Sequence, residues 1–270
     1  MAGYKFDYET KVWGGEKLRV SPIHFRASRL YFALQELKNK KGKLLDVGCG
    51  AGDFIEAFSF YLPKLDFTGI DISKKAIDRA KSRKIKAKFL VSGAEKLPFK
   101  NNSFDMVTCF DVLEHVKNPT QMIKEMYRVL KVGGTFYAFI PTEDNIFSPE
   151  GLLIKLGWKA KEIYGGHPHH YNREYVLKLL KAAGFRINKI KYGEHFTNQI
   201  IEIFYFSYLS IRGKNTDVTV EGYLAKNKKG FGVYILNLIK NFFSTISYFE
   251  ARLLCNLSGG LGIHLTCTKK

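Results

Sequence analysis

"LLDVGCGAGDF", residues 44–54, sets three glycines and two aspartates directly behind an apolar run. Leu44, Leu45 and Val47 predict a short buried strand, and Phe54, Ile55, Ala57 and Phe58 open a helical pattern, so Gly48, Gly50 and Gly52 form the turn between them. Glycine at such a turn permits positive φ and lets a ligand approach the main chain with no Cβ in the way. The dinucleotide fingerprint needs glycines at i, i+2 and i+5; counting from Gly48 ends on Asp53 and counting from Gly50 ends on Ile55, so neither frame fits. A phosphate-cradling loop would end in Gly-Lys-Ser/Thr, which is missing. Asp53, placed at the start of the helix, would also repel a pyrophosphate there. The loop suits a nucleoside without phosphates.

Around this unit, strand and helix alternate from residue 44 to residue 141: "LDFTGIDIS" ends a strand on Asp71, "KKAIDRAKSR" is a short charged helix, "AKFLVSG" is a strand, "SFDMVTCFDVLEHV" is a strand running into a turn, "PTQMIKEMYRVLKVGG" is a helix stopping at its glycines, and "TFYAFIP" is one more strand. That alternation predicts an α/β fold with a parallel sheet covered on both faces. Before it, Leu30, Phe32, Ala33, Leu34 and Leu37 mark one apolar helix face in a cap segment, residues 1–40. After it, "NREYVLKLLKAAGF" is an amphipathic helix with Asn172 as its cap, "RINKIKYGEHF" a strand and "IHLTCTKK" a last strand. Two strongly apolar segments, 199–211 and 231–257, interrupt the pattern, joined by the lysine-rich "RGKNTDVTVEGYLAKNKKG".

The chain has 270 residues and a formal net charge of +18, mostly lysine spread along its length. Such a charge draws attention to nucleic acid, acidic lipid or phosphorylated partners, although a solvated lysine surface is the favoured account of it. Cys49, Cys109, Cys255 and Cys267 form no CxxC pair, so neither a disulfide scaffold nor a zinc knuckle is expected. With a polar start, "MAGYKFDYET", and no secure membrane span, the expected location is the cytoplasm.

In their order and spacing, "LLDVGCGAGDF", "FTGIDIS", "AEKLPFKNNSFDMV", "DVLEHV" and "MIKEMYRVLKVGGTFYAFIP" resemble the class I S-adenosylmethionine-dependent methyltransferases, especially the group related to ubiquinone-biosynthesis O-methyltransferases. The resemblance covers about residues 40–195 and the closing strand. It implies a Rossmann-like doubly wound seven-stranded sheet with an antiparallel last strand, divided here into a core at 41–197, a helical insertion at 198–258 and a final strand at 259–270. It further implies S-adenosylmethionine as methyl donor and S-adenosylhomocysteine as product. Asp71, 19 positions after Gly52, would accept hydrogen bonds from the ribose hydroxyls. Gly48, Cys49, Gly50 and Gly52 would pass the methionine part along the backbone, with Asp46 orienting the loop or receiving the ammonium group. Ile72 would pack on the adenine, Ala94 and Glu95 would line its edge, and Phe110 closes the fourth strand beside them. An aspartate often precedes that Ala-Glu pair in the family, whereas here the residue is Gly93. Arg29 or Arg26 would hold the cofactor's carboxylate.

Methyl transfer to a hydroxyl needs alignment, exclusion of water and a base, for which histidine is the usual choice. His115 in "DVLEHV" lies just past the fourth strand, where open α/β sheets bind ligands. Quinone O-methyltransferases associate the corresponding acidic-x-x-Glu-His element, here Asp111, Glu114 and His115, with a divalent metal, but relatives also use "LEH" to start a helix, and no metal is expected. The second candidate stretch is "GGHPHHYN": His170 as base, with His167, His169 and Tyr171 facing the substrate, or all of them packing a loop. The insertion leaves three roles open: a lid over the acceptor, a contact with a second copy in a homodimer, or a peripheral element at the inner face of a membrane. Its Phe, Tyr, Ile and Leu content between lysines favours a hydrophobic or lipid-linked small-molecule acceptor. An RNA-directed methyltransferase or RNA-binding protein using the basic surface is the alternative; "FDVLEH" stands where a base-methylating enzyme would carry an NPPY-type element.

Overall fold

Strand β1 (Gly42–Val47) is an inner strand of a seven-stranded sheet and runs parallel to β2 (Leu65–Asp71) on one side and β4 (Phe104–Phe110) on the other. Outside β2 lies β3 (Ala87–Val91), and outside β4 lies β5 (Leu130–Pro141). Beyond them β7 (Gly262–Lys269) runs antiparallel to both β5 and the edge strand β6 (Phe185–Gly193), giving the order β3-β2-β1-β4-β5-β7-β6. The expected antiparallel last strand is therefore present. The computed structural model describes residues 9, 12, 14, 15, 17–24, 26–142, 148–165, 171–212 and 231–270.

Alternating strand residues face opposite sides, which is why strands buried on both faces read as unbroken apolar runs. Leu44 and Met106 join Leu30 and Leu37 of α1 (Ala27–Leu37), Ile55 and Phe58 of α2 (Asp53–Tyr61) and Ile77 of α3 (Lys74–Ser82) on one face. Leu45 and Val107 join Met122 and Met126 of α4 (Pro119–Val129) and Val176 and Leu180 of α7 (Arg173–Ala182) on the other. Side-chain caps set the starts: Ser73 accepts from Ala76 N, Asn118 from Gln121 N and, as expected, Asn172 from Tyr175 N.

The structure differs from the sequence expectation in two places. The fourth helix does not run to the glycines: Leu130 already has an extended ψ of 138° and pairs with Phe104, so Gly133 and Gly134 lie inside β5. Gly133 takes a φ of +74°, a Cβ on Gly134 would come within 2.7 Å of Lys131 O, and the ladder shifts register between Phe104 and Met106. The glycines thus accommodate an irregularity in a strand, not a helix end. Second, two short helices that no periodicity announced follow β5: α5 (Pro149–Lys155) and α6 (Ala160–Gly165). Both pack on α8 (Phe196–Arg212), where Ala160, Phe206 and Leu209 form a small apolar cluster apart from the main cores. The long helix α9 (Phe231–Leu254) packs against α8, α1 and β6.

Candidate active site

The strand order reverses between β1 and β4, so the chain leaves their carboxyl ends in opposite directions and opens a crevice there. The glycine loop occupies it. Gly48, Gly50 and Gly52 have φ of +74°, +53° and +84°. The loop is pinned to β2 through Gly48 N and Cys49 N, both donating to Ile70 O at 2.8 and 2.9 Å. Gly69 on β2 makes this approach sterically feasible, since a Cβ there would lie 2.8 Å from Cys49 Sγ and 2.5 Å from Ile55 Cδ1. Cys49 itself is buried, and burial pushes its thiol well above the usual range, so it packs as a small apolar group.

Asp71 ends β2 beside this loop. Its Oδ2 accepts from Gly50 N at 2.8 Å and its Oδ1 from Ser73 N at 2.9 Å, which fixes the carboxylate and leaves each oxygen a further lone pair. Burial raises its pKa against those two donors. One layer deeper, Asp46 is 2% exposed and accepts from Thr108 Oγ1 at 2.7 Å. Burial, with a smaller contribution from the neighbouring Asp71 charge, pushes the Asp46 carboxyl up to about 7, against the Thr108 hydrogen bond. Among the described residues neither aspartate forms an ion pair with a cation. Among the described residues of a chain of net charge +18, this is a conspicuous pair of uncompensated acids.

The other predicted residues lie in different settings. Ile72 follows directly on β2 and is 61% exposed, an apolar side chain without cover at the crevice. Ala94 is partly buried against the second core, and Glu95 Oε1 accepts from Asn118 N at 2.5 Å, so Glu95 anchors the start of α4. Phe110 turns its ring into the first core, stacked on Phe54 at 3.8 Å with 2° between planes, so what it offers the crevice is backbone. His115 closes a single 3₁₀ turn, Leu113–His115, at the end of β4, with Nε2 3.9 Å from Glu114 Oε1. Tyr171 is buried; its hydroxyl donates to Leu113 O at 3.3 Å, tying it to that same turn. His167, His169 and His170 lie outside the described residues. Among the described residues no group of three or more His, Cys, Asp or Glu is placed to hold a metal ion; Asp111 turns to Arg29 instead of toward Glu114 and His115.

Two arginine clusters were not foreseen. Arg29 of α1 pairs with both Asp111, just past β4, and Glu194, just past β6, and lies over the Phe139 ring at 4.2 Å. Asp111 and Glu194 have φ of +53° and +54°, a conformation costly to a residue with a Cβ. The two carboxylates keep the guanidinium charged despite burial, while burial raises Glu194 to about 7 against the attraction of Arg29. Arg26 pairs with Asp53 at 2.5 Å, and Arg83 bridges Asp53 and Glu56 and donates to Ala51 O at 2.8 Å. With Gly15 N also donating to it, Asp53 is held below the usual carboxylate range in spite of burial. Its charge is therefore compensated, so the expected repulsion of a phosphate is offset. The glycine spacing is what disfavours a dinucleotide.

Residues 45–138, from within β1 to within β5, match the family model described as a methyltransferase domain. Over these residues the chain carries a methyltransferase domain. This methyltransferase domain is similar to the ubiquinone biosynthesis O-methyltransferase of Coxiella burnetii, 31% identical over 138 residues, or 49% of this chain and 58% of that protein. It is also similar to cycloartenol-C-24-methyltransferase 1 of Oryza sativa subsp. japonica, 32% identical over 183 residues, or 65% of this chain and 52% of that protein. The chain thus spans a little over half the length of each of these curated relatives. The phosphoethanolamine N-methyltransferase 2 of Haemonchus contortus, solved in complex with S-adenosyl-L-methionine, shares the fold with a TM-score of 0.56 at 21% identity, covering 89% of this chain and 52% of that one.

Proposed function

We propose that the protein moves the methyl group of S-adenosylmethionine to an oxygen of a hydrophobic or lipid-linked small molecule, releasing S-adenosylhomocysteine. The observation that carries the cofactor half of this reading is the pair Asp46 and Asp71, unpaired with any described cation, beside a loop of three positive-φ glycines. That donor set fits the cofactor: a diol for the free lone pairs of Asp71, an ammonium group for Asp46, and a flat apolar adenine for the exposed Ile72. When bound, the cofactor supplies an electrophilic methyl group on a sulfonium.

The chain's own residues then have separable tasks. Asp71 and the loop hold the donor in one orientation, which is most of what an in-line displacement asks of an enzyme. The task of excluding water falls to the packed group α5, α6 and α8, which follows β5 and β6 in the chain. His115, at the end of β4, takes the acceptor's proton, with Tyr171 bracing its turn; His170 is the second candidate base, beside His167 and His169.

The similar proteins are, by name, O-, C- and N-methyltransferases, so the shared domain does not select the acceptor atom. In this chain the selective parts are those outside it. Along α9, Tyr234, Leu238, Phe242, Phe249 and Leu253 stand exposed on an apolar stripe. No described helix is long and apolar enough to cross a membrane, but a stripe of this kind in a basic chain suits the surface of an anionic bilayer, where a lipid-linked acceptor would be met. The test joins calorimetric titration with S-adenosylmethionine and S-adenosylhomocysteine to flotation on phosphatidylglycerol liposomes. Micromolar cofactor binding with flotation, lost on the Leu238→Asp/Phe242→Asp double substitution, supports the whole reading. Absence of cofactor binding sinks the enzyme; binding without flotation returns the stripe to a lid or a dimer contact. The net charge also favours an RNA-directed enzyme, which salt-sensitive RNA binding by the floated-negative protein would support.

A further inference from the structure

Away from the glycine loop, α1 and the C-terminal half of α9 diverge over the face of β5, β7 and β6 and leave a cavity of about 560 Å³. That volume lies within the range of about 300–1,000 Å³ usual for small-molecule sites. Its floor is Tyr137 and His264, buried and joined by a hydrogen bond of 2.8 Å between the phenol oxygen and Nδ1, with the Phe32 ring against His264 at 4.8 Å. Phe249 and Leu253, the last members of the exposed α9 stripe, form its outer wall, so the apolar surface of that helix leads directly into the cavity.

The charges around it are unequal. Three cations line the cavity, Lys189, Lys191 and Arg252, against one acid, Glu36, which pairs with Lys189 at 2.6 Å. Among the described residues Lys191 Nζ contacts an amide oxygen, Asn256 Oδ1 at 2.5 Å, and a sulfur, Cys255 Sγ at 3.6 Å. Arg252 spreads over the Tyr31 ring at 4.6 Å. Neither has a carboxylate partner among the described residues, so two positive charges stand at the rim of an aromatic and aliphatic hollow. A cation rim over an apolar wall matches a molecule with one anionic end and one hydrocarbon tail.

We infer that this cavity is a second ligand site, taking a single-chain anionic amphiphile of the long-chain carboxylate class, with its head at Lys191 and Arg252 and its tail between Phe32, Phe249 and Leu253. The site is separate from the proposed cofactor site, since its lining includes neither the glycine loop nor Asp71. It lies one side-chain layer from the Arg29 cluster, because His264 also packs on Phe139, the ring that carries the Arg29 guanidinium.

The experiment uses dodecanoate, dodecanol and a photoactivatable diazirine analogue of palmitate on the full chain. Dodecanoate is expected to bind in calorimetry at least tenfold tighter than dodecanol, and Lys191→Glu is expected to remove that preference while S-adenosylmethionine binding is unchanged. The photoadduct is expected on peptides holding Phe32, Lys191 or residues 249–255 and to be competed by dodecanoate. Equal binding of acid and alcohol, or adducts confined to residues 231–246 of α9, would mean adsorption to the apolar stripe and would overturn the site. So would a failure of the unaltered protein to bind dodecanoate. The photolabelling needs no substitution, so a misfolded Lys191→Glu protein leaves the inference open to refutation.

Discussion

Replacing Asp46 by Asn separates what this residue costs the fold from what it gives the site. In the folded chain burial lifts the Asp46 carboxyl from 3.8 to about 7. Between those values the unfolded chain is ionised while the folded one still holds its proton, so stability falls as pH rises from about 4 to about 7 and is level above that. A difference of about three pH units at 1.36 kcal/mol each sets a ceiling of about 4 kcal/mol, and relaxation around the charge brings the expected penalty to about 2–4 kcal/mol at pH 8. Asn keeps an acceptor for the Thr108 hydroxyl and carries no charge. The Asp46→Asn protein should therefore be more stable than the parent by about 2–4 kcal/mol at pH 8 and by only about 0.5 kcal/mol at pH 4. In urea titrations this appears as a higher midpoint at unchanged slope, and in thermal melts as a rise of roughly 5–10 °C at pH 8. The same variant should bind S-adenosylmethionine at least tenfold more weakly, and the parent's affinity should decline below pH 7 as Asp46 takes up its proton. A variant no more stable than the parent at pH 8, or equally stabilised at pH 4 and pH 8, refutes the assignment of a strained buried charge.

Asp71→Ala should cost about 1–3 kcal/mol of cofactor affinity by removing charge-assisted hydrogen bonds, read by calorimetry; unchanged affinity would remove Asp71 from the site. Gly48→Ala should destabilise the fold by about 2–5 kcal/mol, because it combines a φ of +74° with a Cβ 2.2 Å from Val112 Cγ2. Adding Val112→Ala to it should recover the steric part but not the backbone part, measured by denaturant midpoints. Arg29→Met should cost about 3–5 kcal/mol at pH 8, since Asp111 and Glu194 lose their partner in a largely buried setting. The loss should shrink toward pH 5, where the Glu194 carboxyl, already at about 7 in the intact chain, is protonated; a pH-independent loss contradicts that account.

What the sequence by itself determined is whatever depends on near neighbours along the chain. The strand–glycine–helix unit at 44–58 is legible because positive φ and the change from continuous burial to helical spacing are local demands, and Asn172 caps α7 because its acceptor lies three residues from the donor. The alternation of elements, with the resemblance, was enough for the sheet and its antiparallel last strand. The partners of the buried charges were decided only by tertiary structure. Arg29 meets Asp111 and Glu194 from 82 and 165 positions away, and Asp53 is neutralised by Arg26 and Arg83 from opposite sides of the loop. A hydrophobic period says which face is buried and nothing about which ion will be opposite. The same limit hid α5 and α6, short helices stabilised by packing on α8 more than by a pattern of their own, and the early start of β5, where pairing of Leu130 with Phe104 ends the helix ahead of its glycines. In α9 an apolar stripe is written plainly in the sequence, yet only the packed chain exposes Leu238, Phe242 and Leu253 while burying Tyr248 and Ala251, because burial depends on which neighbours the rest of the fold brings against each side.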